Sequence, residues 1–543
     1  MRMIQPILMR FPLLALCLLG ISSPTTGHAS VGWGSCPKYL AQQEMSAPSF
    51  ETAEQVLRYP KIALVVDPVS SGNQVAPELG RRGFAVFYIR PDLRVNERTE
   101  KGLIPGHFQN RLFGGVFIEY RGKRVSVSDA LESRDFGLAL AAVSYLKGVF
   151  ETNLPKPVPA HDRFLLVPGA ESGVQWTGKI LAALEMPRFF EDDAISSVRT
   201  KPHMYDAVKK NKKNLRIIPH LYTANAEQAV EWARRNAKKV SDISDGRWLI
   251  RPGNAMGSTQ VKIVETPEEI GAAISELLQQ KNTYGQSNRG LMITPYVSDV
   301  DEYAVNGACR TRTWVEGVGP KTELLVKVTD VWQYVRPKAP EYGYEKLLDW
   351  DEIPAGLLDY HKEVLGALKY VRGFFHFEYF VKRGTGEIFL IEGGARPYGA
   401  GDTDISAECT GYGQIEAALD AITDPDKFDL LAKTPYRLEK RGYVINLNGP
   451  SKEESGNEKL VAQRSAWAQL GSDFAANIFR LLPGVGDGEN VSASTSLLDT
   501  MGTVKIVEHI ASKEDLPRAD RVLNSIRTEI ERRRNAGHFW VRQ

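Results

Sequence analysis

Residues 375–401 read FHFEYFVKRGTGEIFLIEGGARPYGAG and carry two acids inside two apolar segments. Glu378 and Glu392 flank a Gly-Thr-Gly turn, which predicts a hairpin that brings both carboxylates together on adjacent strands. Two like charges at that distance are costly unless a cation lies between them. The alternative is a solvated acidic face with Arg396 as counter-ion, but the neighbouring Phe and Leu side chains disfavour full exposure. The stretch therefore predicts a site for a hard divalent cation, with Arg396 placed to meet further negative charge.

The chain of 543 residues is too long for one hydrophobic core and predicts two to four packed units. Its 43% hydrophobic and 25% charged content is ordinary for a globular protein, and a net charge of +2 gives no sign of a nucleic-acid surface. The four cysteines, Cys17, Cys36, Cys309 and Cys409, are widely scattered and lack metal-ligand spacing. This usage favours a reduced, cytoplasmic protein.

Residues 1–30 differ from the rest, because two arginines precede the short apolar run FPLLALCLLGI. This layout is typical of a secretory leader, and the run is too short for a comfortable membrane span. The other interpretation is a start assigned too early, since Met45 opens a plausible N-terminus before the first predicted strand. Both interpretations stay open on the sequence alone.

Residues 58–190 predict a small doubly wound α/β domain. The segments IALVV and FAVFYI are fully hydrophobic, as parallel strands covered on both faces require. The turn Asp67–Gly72 follows the first strand, at the sheet edge where open α/β sheets bind ligands. A second turn, GAESG, contains Glu171. Neither turn is G-x-G-x-x-G, which argues against a dinucleotide-dependent dehydrogenase.

Further along, two apolar strands flank a glycine-rich loop in RWLIRPGNAMGSTQVKIV. Gly253, Gly257 and Ser258 offer free backbone N–H groups with little bulk, and Arg251 adds a positive charge. Such a loop can cover phosphates, although an ordinary hairpin turn has the same composition.

The segment ITPYVSDVDEYAV, residues 293–305, follows as a candidate hinge. The order of glycine loop, hinge, acid pair and arginine resembles the ATP-grasp carboxylate–amine ligases, and most nearly those of the L-amino acid ligase type. The resemblance covers about residues 60–425. It implies a multi-domain α/β and α+β protein, in which a pre-ATP-grasp domain (58–190) precedes a two-subdomain ATP-grasp domain (191–425). Residues 426–543 would form a small C-terminal α+β region.

The resemblance implies roles for individual residues. His376 and Arg396 would serve the reacting phosphoryl group, Glu171 and Arg396 the substrate, and Glu378 and Glu392 the metal. Arg336 or Lys338 of a covering loop would touch phosphate. The residues implied in ATP binding are Lys201, Arg251, Gly257, Ser258, Tyr296, Val297 and Glu302.

The sequence departs from the family pattern at three positions. Arg251 replaces a lysine, which keeps the charge but not the compact ammonium. Pro295 replaces an acid that contacts adenine, and Gly394 replaces an asparagine metal ligand.

The implied reaction uses ATP with Mg²⁺ (or Mn²⁺) to phosphorylate a small-molecule carboxylate, and an amine then attacks the acyl phosphate. The alternatives are a carboxylase-type ATP-grasp enzyme and a non-catalytic nucleotide-binding protein. No nucleic-acid partner and no stable membrane span are expected, and a homodimer is left open. Dependence on ATP predicts a cytoplasmic location, although the leader-like segment points the other way.

Overall fold

The computed structural model describes residues 50–69, 71–90, 110–153, 163–191, 194–195, 197–198, 200–254, 259–282, 287–316, 319–336, 343–399, 402–450, 460–483, 490–491 and 500–542. Several predictions therefore lie outside the described residues. They concern the leader-like segment 1–30, Cys17 and Cys36, Gly257 and Ser258 of the glycine loop, and Lys338.

The N-terminal unit is built on a three-stranded parallel sheet with β1 in the centre, in the order β2-β1-β5. All residues of these strands are buried, which confirms the prediction made from their continuous apolar runs. A two-stranded hairpin, β3-β4, comes between β2 and β5 in the chain and forms a separate small sheet. The strands are β1 (Ile62–Val66), β2 (Ala85–Ile89), β3 (Phe117–Tyr120), β4 (Lys123–Ser126) and β5 (Phe164–Pro168); the helices are α1 (Ala53–Leu57), α2 (Gly72–Arg81), α3 (Val127–Leu131), α4 (Phe136–Asn153) and α5 (Gly173–Ala183).

A second unit follows, with a four-stranded antiparallel sheet in the order β6-β9-β7-β8. Two amphipathic helices each bury one apolar face. The buried residues include Ala229 and Ala233 in the first helix and Ile270 and Ile274 in the second. The elements are α6 (Lys201–Asn211), β6 (Leu221–Thr223), α7 (Ala226–Asn236), β7 (Ser244–Pro252), β8 (Lys262–Val264), α8 (Ile270–Gln279) and β9 (Leu291–Val297).

The largest sheet has eight strands in the order β14-β13-β10-β11-β12-β15-β19-β17. The predicted acid-bearing hairpin, β13 and β14, forms one edge, and the long antiparallel pair β10 and β11 lies next to it. Helix α11 packs across β10 and β13. The elements are β10 (Val300–Glu316), β11 (Gly319–Val335), β12 (Tyr344–Leu347), α9 (Leu357–Ala367), β13 (Arg372–Lys382), β14 (Ile388–Gly394), α10 (Thr403–Thr410), α11 (Gln414–Thr423) and α12 (Pro425–Leu431).

The last part of the chain continues the same sheet, because β15 pairs with β12 and then with β19. Helix α14 covers β15 and β19, and a small three-stranded sheet, β18-β16-β20, lies beyond. The elements are β15 (Lys440–Leu447), β16 (Leu460–Ala462), α13 (Arg464–Asp473), β17 (Ile478–Pro483), β18 (Asn490–Val491), β19 (Gly502–His509), α14 (Leu516–Asn535) and β20 (Trp540–Arg542).

The fold class predicted from the sequence, a multi-domain α/β and α+β protein, is confirmed. Cys309 and Cys409 are buried thiols. Among the described helices, none combines the length and the apolar character that crossing a bilayer requires.

Candidate active site

Glu378 and Glu392 stand directly opposite each other on β13 and β14, as the hairpin pattern predicts. Gly384 and Gly386 in the connecting turn have φ values of 77° and 71°, a conformation that glycine adopts without strain. The pairing of β13 with β14 shifts in register between Glu378 and Tyr379. The acid pair is therefore out of step with the strand pairs that continue toward the turn. The two side chains are only 15% and 25% exposed, so the pair lies in a wall rather than on an open surface.

Two cations from the second unit reach the acid pair. Lys201 Nζ lies 2.7 Å from Glu392 Oε2, and an Arg251 guanidinium nitrogen lies 3.6 Å from the same oxygen. Lys201 is the first residue of α6, and its backbone N–H donates to the Gly253 carbonyl at 3.0 Å. Arg251 also donates to the Ile391 carbonyl at 3.3 Å. The start of the glycine loop is thereby joined to both the lysine and the acid-bearing hairpin.

The pKa values of the two acids are shifted in opposite directions. Burial and the neighbouring Glu392 charge raise the pKa of Glu378. Burial acts the same way on Glu392, but the charges of Lys201 and Arg251 outweigh it and lower the pKa of that carboxyl. Glu392 is therefore an ionised carboxylate at neutral pH, and Glu378 holds its proton more readily.

The acid pair suits a hard divalent cation only in part. Carboxylate oxygens are the ligands that Mg²⁺ prefers, and the pair offers two such groups side by side. Within the described part of the chain, no three His, Cys, Asp or Glu side chains form a metal-binding cluster. A cation bound here would therefore take its remaining ligands from phosphate oxygens and water, as Mg²⁺ does in nucleotide sites.

A cleft of about 550 Å³ opens between the four-stranded and eight-stranded sheets. Its apolar wall comes from β7, β8 and β9 and includes Leu249, Ile263 and Pro295, while the acid pair and its cations form the polar end. The lining brings together the described residues predicted for nucleotide or metal: Lys201, Arg251, Tyr296, Val297, Glu302, Arg336, Glu378 and Glu392. The predicted His376, Arg396 and Glu171 lie outside this lining.

Glu302, the predicted ribose ligand, is held by Arg336 through two hydrogen bonds of 2.7 Å. The carboxylate is 8% exposed, and burial raises its pKa despite the arginine. Tyr296 lies under the Arg247 guanidinium, whose central carbon is 4.2 Å from the ring centroid. Tyr296 and Glu302 are thus each paired with an arginine: Tyr296 with Arg247, which the sequence pattern did not single out, and Glu302 with Arg336, which was predicted to touch phosphate.

His376 lies next to the acid pair, with Nε2 3.4 Å from Glu378 Oε1. Burial, followed by the charge of Arg396, lowers the pKa of His376 to about 3. The Tyr398 ring stacks on the imidazole at a centroid distance of 4.9 Å. The histidine is therefore neutral and held in a fixed plane.

The two predicted substrate residues contact each other, because Arg396 Nε donates to Glu171 Oε2 at 2.7 Å. A side chain at Gly394 would collide with this pair, since a Cβ there would lie 2.9 Å from Glu171 Oε2 and 3.2 Å from Arg396 Cγ. The glycine at position 394 thus makes room for an ion pair between the N-terminal unit and the hairpin.

Sequence reasoning missed Asn306 and Asp330, which line up with His376 on neighbouring strands. Both are buried polar residues within long apolar strands, and that local contradiction is the signal that could have identified them. Their hydrogen bonds connect His376 to the centre of the sheet.

Scans against protein-family models and against curated proteins found no match. Solved structures are similar in fold. An L-amino acid ligase from Bacillus licheniformis superposes with a TM-score of 0.55 at 14% identity, covering 86% of this chain and 97% of that one. An N5-carboxyaminoimidazole synthase from Aspergillus clavatus, in complex with ADP and its ribonucleotide, gives 0.53 at 13% identity, with 87% and 100% covered.

The Staphylococcus aureus N5-carboxyaminoimidazole synthetase complexed with ADP also gives a TM-score of 0.53, at 10% identity, with 86% of this chain and 97% of that one covered. These structures are ATP-grasp proteins, and the likeness covers most of the chain. At such low identities the likeness establishes the fold: the chain has the ATP-grasp fold.

Proposed function

We propose that this protein uses ATP and a divalent cation to phosphorylate the carboxylate of an amino acid and to couple the acyl phosphate to an amine. The product is an amide or dipeptide, and ADP and phosphate are released. The cation would be Mg²⁺, with Mn²⁺ as a substitute, held by Glu378 and Glu392.

The observation that carries the proposal is the polar end of the cleft, where two facing carboxylates meet Lys201 and Arg251. Acids of this kind would hold a cation against the triphosphate, and the two basic side chains would neutralise the phosphate oxygens. The apolar wall from β7, β8 and β9 offers a surface of suitable character for a purine ring. Glu302, fixed by Arg336, would accept hydrogen bonds from the ribose hydroxyls.

The carboxylate substrate would approach from the side of Arg396. This guanidinium pairs with Glu171, and its positive charge interacts favourably with both carboxylates of the acid pair. Its planar fork suits a bidentate contact with a carboxylate or with the transferring phosphoryl group. Glu171 would contact the positively charged amino group of an amino acid substrate. This contact would account for a negatively charged side chain next to a site that binds phosphate and carboxylate. Arg396 would then exchange part of its contact with Glu171 for the substrate.

The protein contributes placement and charge neutralisation, and no side chain need form a bond to substrate. A bound cation would supply Lewis acidity to the γ-phosphoryl group. Closure of the cleft would keep water from hydrolysing the acyl phosphate. Because free ATP is plentiful in the cytoplasm, the proposal places the reaction there. N-terminal sequencing of the protein recovered from fractionated cells tests this location.

The experiment is a screen of amino acids, singly and in pairs, with ATP and Mg²⁺, scoring phosphate and separating ADP from AMP. The proposal requires ADP and phosphate release that depends on both substrates, and a product whose mass equals the two joined with loss of water. AMP formation, or turnover without any carboxylate, would contradict it.

Two other functions stay as distinct outcomes of the same screen. Phosphate release driven by bicarbonate in place of an amino acid would indicate a carboxylase-type enzyme, the class suggested by the N5-carboxyaminoimidazole synthase likeness. ATP binding without turnover under every condition would indicate a non-catalytic nucleotide-binding protein, to which the replacements at Arg251, Pro295 and Gly394 would contribute.

A further inference from the structure

The face of the eight-stranded sheet that lines the cleft continues into the C-terminal part of the chain. Side chains directly opposite each other on paired strands point to the same face of a sheet. Direct pairs lead from β10 through β11, β12 and β15 to β19. The residues of this cross-sheet row are Glu302, Tyr334, Glu345, Val444 and Lys505. Because Glu302 lies in the cleft lining, Lys505 lies at the far end of the same face.

Lys505 binds two acids at the start of helix α10, which packs on β15. Its Nζ lies 3.0 Å from Asp402 Oδ1 and 2.7 Å from Asp404 Oδ1. The lysine is 0% exposed and each of the two acids is 1% exposed. Arg480 of β17 also pairs with Asp404. Buried charges require partners of opposite sign, so these contacts hold the start of α10 against the sheet.

The chain that precedes α10 carries the predicted substrate residue Arg396. Only six positions of sequence separate Arg396 from Asp402, so a shift of Asp402 must be taken up within a short stretch of chain. Tyr398 lies between them, and its hydroxyl donates to the Glu345 carboxylate. Glu345 and Lys505 both belong to the cross-sheet row, which therefore contacts this stretch at two places.

We propose that Lys505 is a positioning residue for Arg396. By holding Asp402 and Asp404, it keeps the start of α10 where the preceding chain brings Arg396 to Glu171. This proposal rests on the proposed function, in which Arg396 binds the carboxylate substrate. It connects the C-terminal part of the chain, through β19, with the binding of that substrate.

The first test measures amide hydrogen exchange of the full-length protein by mass spectrometry. Lys505→Met removes the charge at similar length, and exchange in peptides that cover α10 should become faster on the order of 10-fold. Lys346→Met is the matched control. Lys346 also pairs with two acids, Glu352 at 3.2 Å and Asp520 at 3.0 Å, but it follows Glu345 on β12 and so points to the opposite face.

Lys346→Met should leave exchange in α10 at the wild-type rate. Wild-type exchange in Lys505→Met, or the same increase in both variants, would overturn the proposal.

The second test is kinetic, because a loss of stability alone would not change the affinity for one substrate only. A misplacement of about 1 Å can cost on the order of 100-fold in rate. In Lys505→Met we therefore expect the KM for the amino acid to rise at least about 10-fold, while ATP affinity measured by calorimetry stays at the wild-type value. Lys346→Met should change neither value. A wild-type KM in folded Lys505→Met would overturn the proposal.

Asp402→Asn tests the same contact from its other side and changes the buried volume little. It should raise the KM for the amino acid in the same direction. Because both substitutions break one contact, the double variant should show no larger KM than the more affected single variant. A KM raised by the product of the two single effects would overturn the proposal. If Lys505→Met does not fold, Asp402→Asn decides, and wild-type exchange in α10 together with a wild-type KM would contradict it.

The two tests fail separately from the proposed function, because hydrogen exchange needs no turnover. Faster exchange in α10 of Lys505→Met alone, in a protein that turns over no amino acid, would contradict the proposed function and leave the contact of Lys505 with α10 supported. Ligase activity with the same KM in Lys505→Met and wild type would contradict the role of Lys505 alone.

Discussion

Lys201 Nζ lies 2.7 Å from the Glu392 carboxylate, which joins the helix at the start of the second unit to the acid-bearing hairpin. The lysine thus contributes a positive charge at the carboxylate proposed to bind the metal. In the proposed enzyme, a cation would take over Glu392 and the lysine would turn to the nucleotide phosphates. The acid pair and the two cations lie in the lining of one cleft, so all four groups would act on the same bound nucleotide.

Glu392→Gln should lower the rate of ATP turnover on the order of 100-fold with the fold intact. The variant loses an ionised ligand and leaves Lys201 without that charge, a change of about 2–3 kcal/mol that corresponds to on the order of 100-fold in rate. Glu352→Gln is the control, since Glu352 also pairs with a buried arginine, Arg441, at 2.7 Å but lies outside the cleft lining. Wild-type turnover in Glu392→Gln would remove the metal assignment.

Glu302→Gln should raise the KM for ATP about 10-fold, because a charged acceptor for the ribose hydroxyls is worth roughly 1.5–3 kcal/mol. The ribose does not react, so kcat should change little. Steady-state kinetics with ATP as the varied substrate measures both values. Glu387→Gln, which breaks an ion pair with Arg216 at the surface, should leave both at wild-type values. An unaltered KM in Glu302→Gln would show that the ribose binds elsewhere.

Gly394→Ala should weaken binding of the carboxylate substrate. The new Cβ would press on Glu171 and Arg396 and separate an ion pair that now measures 2.7 Å. We expect the KM for the amino acid to rise on the order of 10-fold, with ATP affinity unchanged in a calorimetric titration. Gly319→Ala is the control, since a Cβ there meets nothing within 4 Å. The assignment of this corner to substrate fails if the two variants behave alike.

The stability of the protein should depend on pH through Glu345. This buried acid contacts the Tyr398 hydroxyl and Asn446, and burial, with Asp402 nearby, raises its pKa to about 8. Its pKa in the unfolded chain is about 4.3, so in the window between these values the native state keeps a proton that the unfolded state releases. The free energy of unfolding therefore falls as pH rises through that window.

Glu345→Gln removes this proton linkage. Relative to wild type, its free energy of unfolding should increase by at least about 1 kcal/mol between about pH 5 and about pH 8. Chemical denaturation at the two pH values measures the difference, with the surface substitution Glu363→Gln as control. A difference that stays constant with pH would contradict the linkage.

Local sequence patterns were enough to predict much of this fold. Continuous apolar runs identified Ile62–Val66 and Ala85–Ile89 as buried parallel strands, and the Gly-Thr-Gly turn predicted that Glu378 and Glu392 face each other. Both features depend on residues close together in the chain. The functional roles of the acids and of the nucleotide-binding residues stay predictions.

Long-range pairing left no such pattern. The extension of the large sheet by β15 and β19 depends on partners distant in sequence, and so does the row that aligns Asp330 with His376. The contact between Glu171 and Arg396 joins separate units of the chain and needs the space left by Gly394. The residue types indicated that these side chains are polar or charged. They did not indicate which of the side chains contact each other in the fold.

The most direct test of the central claim is a calorimetric titration of the purified protein with ATP, with and without Mg²⁺. If the facing acids hold a cation against the triphosphate, ATP should bind measurably only with Mg²⁺. In Glu392→Gln, Mg²⁺ should no longer increase the binding of ATP. Equal uptake of ATP with Mg²⁺ and with a chelator, or no uptake under either condition, would contradict the account.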